Sequence, residues 1–397
     1  MTGPGVFMPL DRLIYAKKCI LPSKAAHVLQ SLNMAYAFAE QGVRTTMWPG
    51  FSRNDQSDFR ESLEHDYGLE PCPALKLRPL PGFHKGLYGL AFRAYLFHAW
   101  LRAPQSAAFY ARDITEALLL SRFKRFLPVR HPVFYEIHEL LSEQHRILKT
   151  GRAEYFVRVE AEMLAAMDGV VCISPVLVDG LKSVYGYAGP TLVAPMGYNP
   201  RLFRAAPDVD FSGRITVAYV GSLYESKGIH NLVRAMGHLP ERFRLLVVGG
   251  NPSGELERLR ALARDIPGGE ERIEFCGYLP QRELFPRLAS CGMMIIPQSS
   301  EAEFFSPIKL YESIGMGLPL VVTPMPALTS VLERDVDAIV AESTSPEALA
   351  VAVTEMASDW PRARRMQEHL RRRAAMSTWG VRAADCLQFM TESSGLS

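Results

Sequence analysis

Short apolar runs alternate with helically spaced stretches from one end of this chain to the other. Few folds accept such a pattern. Strands that are apolar on both faces must be buried on both faces, and a helix between consecutive strands carries the chain back so that they pair in parallel. In the first half the predicted strands are Leu13–Ile20, Arg44–Trp48, Ala107–Ala111, Pro132–Ile137, Gly169–Ile173 and Thr191–Ala194. Ala25–Gln41 is the clearest predicted helix, with Gly42 as its C-terminal breaker. The stretch Tyr198–Gly213 has two prolines, mixed charge and no period, and reads as a linker. A second cycle follows, with predicted strands Ile215–Val220, Arg244–Val248, Ile273–Phe275, Met293–Ile296, Pro319–Val322 and Ala338–Val340. A length of 397 residues suits two such domains of roughly 180 residues each.

The bulk properties exclude several classes. A formal net charge of +2 gives no global case for nucleic-acid binding. The six cysteines (Cys19, Cys72, Cys172, Cys276, Cys291 and Cys386) include no CxxC pair and read as reduced thiols of a cytoplasmic protein rather than zinc ligands. The N-terminus does not read as a signal peptide, and no apolar run reaches the roughly 18 residues of a membrane span.

Two motifs carry chemistry. Val220–Gly228 (VGSLYESKG) follows a strand and opens a helix. Gly221 permits a sharp turn, the free N–H groups of the helix face that turn, and Lys227 can reach a phosphate as a point charge. A surface lysine is the other reading of Lys227. Ser306–Pro319 (SPIKLYESIGMGLP) offers Ser306 as N-cap and Pro307 as first helical residue, so the helix start presents unpaired N–H groups to an anion. Glu312 lies about one and a half turns inside, where it can take two hydrogen bonds from a ribose diol or serve as an ordinary helical glutamate. Lys309 either adds charge beside phosphates or faces solvent.

Together these motifs, about 80 residues apart, resemble the donor site of family 4 retaining glycosyltransferases (glycosyl transferases group 1), whose forms read GxLxxxKG and LEAMAxGxP. Further segments extend the resemblance over nearly the whole chain: Ile273–Pro280 (IEFCGYLP), Gly249-Gly250, Ala194–Asn199 (APMGYN), Gly169–Pro175 (GVVCISP) and the loop from Pro22 to His27. The resemblance implies an α/β GT-B architecture, two Rossmann-like domains facing each other across a cleft. The corresponding division is 1–198, a linker at 199–213, 214–375, and a C-terminal helix within 376–397 that crosses back to the N-domain. It implies a donor site of Gly221, Ser222, Lys227, Gly249, Gly250, Tyr278, Glu303, Phe305, Ser306, Pro307, Ile308, Lys309 and Glu312, and an acceptor side with Ser23, Lys24 and His27. Catalytic roles fall on Lys227 (diphosphate), Glu312 (ribose) and His138 (transferred sugar). A surface or capping histidine is the other reading of His138.

The implied reaction is retaining transfer from a nucleotide sugar to a glycan, lipid-linked or small-molecule acceptor, with no cofactor and no side-chain nucleophile. Two departures bear on it: Ser222 stands where the family has an arginine, and Phe304 where it often has a glutamate, with Glu301 and Glu303 nearby. Neither DxD, Asp208-Val209-Asp210 nor Asp335-Val336-Asp337, follows a strand as a metal-diphosphate site requires, so no catalytic metal is expected. A non-catalytic GT-B homologue and a GT-B sugar-nucleotide epimerase or hydrolase are the rival readings. Finally, Leu75–His131 holds ten Lys/Arg against two acids, interleaved with aromatics. This suits a peripheral position on an anionic inner membrane face. It equally suits a core helix with solvated arginines.

Overall fold

The computed structural model describes residues 10–23, 25–51, 63–64, 67–80, 85–203, 205–299 and 308–395. The chain forms two compact units, Met1–Met196 together with Trp379–Ser397, and Gly197–Thr378.

The first unit is built on β1 (Arg12–Ala16), β2 (Ile20–Leu21), β3 (Arg44–Met47), β4 (Gly50–Phe51), β5 (Leu75–Leu77), β6 (Ala107–Ala111), β7 (Val133–Ile137), β8 (Gly169–Cys172) and β9 (Thr191–Val193). Seven of them form a sheet in the order β5-β3-β1-β6-β7-β8-β9, and its pairs run parallel; β2 and β4 form a separate pair. The central strands β6, β7 and β8 are buried at every residue, as parallel strands covered on both faces must be. The expected strand Leu13–Ile20 breaks at Ala16, because Lys17 turns back to the carbonyl of Tyr15 and sends its ammonium to Asp113. Ile20 begins β2 instead. β4 and β5 escaped the sequence reading: two and three residues are too few to show a period.

The second unit contains β10 (Ile215–Val220), β11 (Phe243–Val248), β12 (Ile273–Gly277), β13 (Met293–Ile296), β14 (Leu320–Val322) and β15 (Ala338–Val340). Its sheet runs β12-β11-β10-β13-β14-β15, parallel throughout. Both sheets reverse their winding direction once, between β1 and β6 and between β10 and β13. The described residues of 198–213 hold no helix or strand, yet they are anchored within this unit. Gln367 bonds Pro207 O and the Val209 amide, each at 3.0 Å, and the Trp360 indole donates to Val209 O at 2.7 Å.

The C-terminal helix Trp379–Ser393 packs within the first unit, on helix Ala26–Glu40 and β8. Gly169 makes room for it: a Cβ there would stand 2.6 Å from the Phe389 ring. Arg382 of this helix is buried and reaches Glu136 on β7, with its Nη2 3.0 Å from the carboxylate. Its Nε donates to the carbonyls of Ala194 and Pro195 at 3.1 and 2.8 Å. Removing one partner of a buried ion pair leaves the other charge uncompensated, which costs about 3–5 kcal/mol. Arg382→Met is therefore expected to lower stability by about that amount in urea denaturation. Adding Glu136→Gln to it should recover much of the loss, since the orphaned charge is gone.

Candidate functional site

In a parallel sheet each crossover helix runs antiparallel to its strands, so its N-terminus opens at the strands' C-terminal ends. Ligands bind there, in the crevice where the winding reverses. In the second unit that point lies between β10 and β13. The loop after β10 carries Gly221 and Ser222, then a 3₁₀ turn Glu225–Lys227, then Gly228 and helix Ile229–Ala235. Gly228 has a left-handed backbone (φ +72°), and a Cβ there would lie 1.7 Å from Pro297 O in the loop after β13. The two loops are further joined by Ser299, whose amide and hydroxyl donate to the carbonyls of Ser226 (3.1 Å) and Glu225 (3.0 Å).

The neighbouring strand ends are equally compressed. Gly249 (φ +158°) closes β11, and its Cβ position falls 1.9 Å from Gly221 O. The Gly221 amide donates to Val248 O at 3.0 Å and that of Gly249 to Gly277 O at 2.8 Å. Tyr278, exposed, follows β12 directly, and a Cβ on Gly250 would touch its amide. Gly221, Ser222, Gly249, Gly250 and Tyr278 thus converge at one edge of the sheet. Lys227 is half-buried there, and that burial lowers its pKa.

Helix Ile308–Met316 follows β13 and carries Lys309 and Glu312. Glu303, Phe305, Ser306 and Pro307 lie outside the described residues, as does Lys24. Glu312 is 1% exposed. Lys309 Nζ lies 2.7 Å from its Oε2, so Lys309 neither stands free in solvent nor is committed elsewhere. The carboxylate is otherwise closed off from solvent, so this ion pair is buried on the glutamate side. A depression lined by Arg244, Arg260 and Arg264 lies beside the β11–β12 edge, apart from these loops, and its arginines are engaged by neighbouring acids or carbonyls.

Three of the four DxD acids are paired with arginines of the second unit, and the fourth, Asp210, accepts from the Ser212 amide at 2.8 Å. Asp208 pairs with Arg371, Asp335 with Arg362, and Asp337 with Arg373.

In the first unit His138 follows β7 directly. Its Nε2 lies 2.7 Å from Glu136 Oε1 and its Nδ1 3.4 Å from Arg112 Nη2. A neutral ring satisfies both: Nε2–H donates to the carboxylate, and Nδ1 accepts from the guanidinium. Burial, then the charge of Arg112, lower the histidine's pKa to about 4. Burial alone would raise the pKa of Glu136, but Arg382, His138 and Tyr110 outweigh it and hold the carboxyl well below the usual range. Gln30 Nε2 also donates to Glu136 Oε1 at 2.7 Å. This cluster went unread in the sequence, although a glutamate inside the apolar strand VFYEI was a signal that something must neutralise it. Lys17 pairs with Asp113 at the winding reversal of this sheet. Ser23 exchanges backbone bonds with the Tyr67 hydroxyl (2.6 and 2.9 Å), and His27 is exposed in the first turn of its helix.

Three comparisons bear on what this arrangement belongs to. Residues 214–359, a little over a third of the chain, match the family described as Glycosyl transferases group 1. The D-inositol 3-phosphate glycosyltransferase of Corynebacterium urealyticum is 27% identical over 184 residues, covering 44% of this chain and 42% of that protein. The aligned part is thus less than half of that relative's length. Among solved structures, sucrose-phosphate synthase from Thermosynechococcus elongatus superposes with a TM-score of 0.74 at 18% identity, covering 95% of this chain and 98% of that one. Anabaena HepE in complex with UDP-glucose gives 0.71 at 16%, covering 95% and 99%. The fold is of the GT-B type.

The His138 environment has a pH signature. A folded-state pKa held below the ordinary 6.5 stabilises the fold fully above pH 6.5, and that contribution is lost as pH falls towards about 4. Melting temperature should therefore begin to drop below pH 6.5, before most carboxylates titrate. In His138→Gln the slope between pH 6.5 and 4.5 should flatten; an unchanged slope would contradict the assignment.

Proposed function

We propose that this chain is a retaining glycosyltransferase using a nucleotide-sugar donor without a catalytic metal, the donor's nucleotide held at the winding reversal of the second unit. The observation that carries the reading is Glu312, a buried carboxylate whose ion-pair partner among the described residues is one flexible side chain, Lys309. A buried carboxylate must keep a donor or counter-charge, so a ligand that draws Lys309 away must replace it. A ribose diol supplies two O–H donors. For it to do so, Lys309 must swing away from Glu312, which frees that ammonium for the neighbouring diphosphate.

The glycine-lined edge supports the same reading. Glycine at 221 and 249 lets the strand-end loops pack closely, which brings Ser222 and Lys227 to one rim. As the anomeric C–O bond breaks, charge grows on the leaving phosphate, and preformed donors around it lower the barrier. Lys227 suits that task, because the desolvation that lowers its pKa is relieved when an anion arrives. Ser222 adds a hydroxyl but no charge, so Lys227 and Lys309 carry the cationic share. That HepE was solved with UDP-glucose supports a donor of this class. For His138 we keep the sugar-facing role that the family resemblance implies. Arg112, its longer contact at 3.4 Å, is the one to yield when a hydroxyl approaches Nδ1.

The pairing of Asp208, Asp335 and Asp337 with arginines favours catalysis without a bridging cation. Ser222 in place of an arginine favours the rival reading, a nucleotide-binding homologue without turnover, and detection of transfer separates the two. Lys227→Ala and Glu312→Ala should each lower kcat/KM about 10²–10³-fold; Lys227→Ala should melt like the wild type, whereas Glu312→Ala, which strands Lys309, should melt lower yet stay folded. Near-normal turnover in either would remove that residue from the site. Activity in EDTA should stay within about twofold of the untreated enzyme. A large loss restored by Mn²⁺ or Mg²⁺ would show that a metal is required.

A further inference from the structure

Helix Lys85–Arg102 is apolar on two sides. Tyr88, Phe92, Leu96 and Trp100 are buried in the core of the first unit. On the outside Leu87 and Leu90 are 60% and 66% exposed, and Phe97 and Leu101 are exposed as well. With Ala94 these residues follow the i, i+3, i+7 spacing of a single stripe. An all-round apolar helix belongs inside a protein, and one whose second apolar face meets water marks a contact surface. No described helix is long and apolar enough to cross a membrane.

The charges around the stripe indicate its occupant. At about 100° per residue, Arg93 falls on one border of the stripe and His98 and Arg102 on the other. The helix contains no acidic residue. The neighbouring helix Ile114–Phe126, joined to it by the Phe97–Phe123 ring contact at 5.6 Å, ends in Arg122, Lys124, Arg125 and a Phe126 that is 72% exposed. Lys124 and Arg125 are paired with Asp168 and Glu162, but Arg93, Arg102 and Arg122 have no ion-pair partner among the described residues. A second copy of the chain on this face would set arginines against arginines. We propose that this face docks on an anionic lipid bilayer: Leu87, Leu90, Phe97, Leu101 and Phe126 enter the headgroup–acyl boundary, and Arg93, Arg102 and Arg122 meet the lipid phosphates. The proposal does not depend on the transferase reading.

Flotation of the full chain with vesicles tests it, using phosphatidylcholine alone and phosphatidylcholine with phosphatidylglycerol. Binding is expected to the anionic vesicles and to fall with added salt, while a salt-resistant part remains from the apolar residues. Arg93→Gln and Arg102→Gln should each lower partitioning about fivefold. Leu90→Glu should abolish it, with a melting temperature equal to the wild type's because Leu90 faces water; Leu87→Gln serves as a second, milder variant. Wild-type protein that stays unbound at low salt overturns the proposal. So does binding that is equal on neutral vesicles or undisturbed in folded Leu90→Glu. A dimer in light scattering that Leu90→Glu dissolves, without vesicle binding, would assign the face to protein contact instead. Nucleotide binding measured on the same samples keeps a failure here separate from a failure of the donor site.

Discussion

Gly228 places its backbone against the carbonyl of Pro297 so closely that a methyl group would need to overlap the oxygen, at 1.7 Å. Gly249 does the same to Gly221. Loops that leave adjacent parallel strands on opposite faces normally splay apart. Here the loops after β10 and β13 are drawn together by backbone alone and joined by Ser299. They carry Lys227 on the rim that precedes helix Ile229–Ala235. The diphosphate role proposed for Lys227 depends on that close approach.

The two units reach the same winding reversal with opposite contents. In the first, the chain fills the strand ends with its own charges: Lys17 with Asp113, Arg112 beside His138, and Glu136 held by Gln30, Tyr110 and Arg382. In the second, glycines let backbone pack on backbone at the corresponding edge, and the charges beside it are Lys227 and the Lys309–Glu312 pair. The division of labour proposed for the units rests on this difference rather than on their shared topology.

What was legible in the sequence follows physical lines. Ala107–Ala111, Ile215–Val220, Met293–Ile296 and Ala338–Val340 were read to the residue, because an uninterrupted apolar run in a parallel sheet leaves no ambiguity. The end of β1 was misplaced because a buried lysine was paired by an aspartate 96 residues away, which no local pattern reveals. The same holds for Glu136, whose counter-charge Arg382 is 246 residues distant and arrives on the C-terminal helix. The close packing at Gly228 and Gly249 was not read from local pattern, because the carbonyls they meet, Pro297 O and Gly221 O, come from other loops. Nor was the Lys309–Glu312 pair, because a helical spacing of three fits a salt bridge and two independent ligand contacts alike.

If Glu312 grips a ribose diol, the second unit should distinguish a ribonucleoside diphosphate from its 2′-deoxy analogue. Melting temperature measured against UDP, GDP and ADP, each paired with its 2′-deoxy form, reads this directly through stabilisation by mass action. One ribonucleotide should raise the melting temperature more than its deoxy partner does, and the difference should vanish in Glu312→Ala. A shift that is the same with and without the 2′-hydroxyl, or no shift with any nucleotide, would contradict the placement of the donor at this edge.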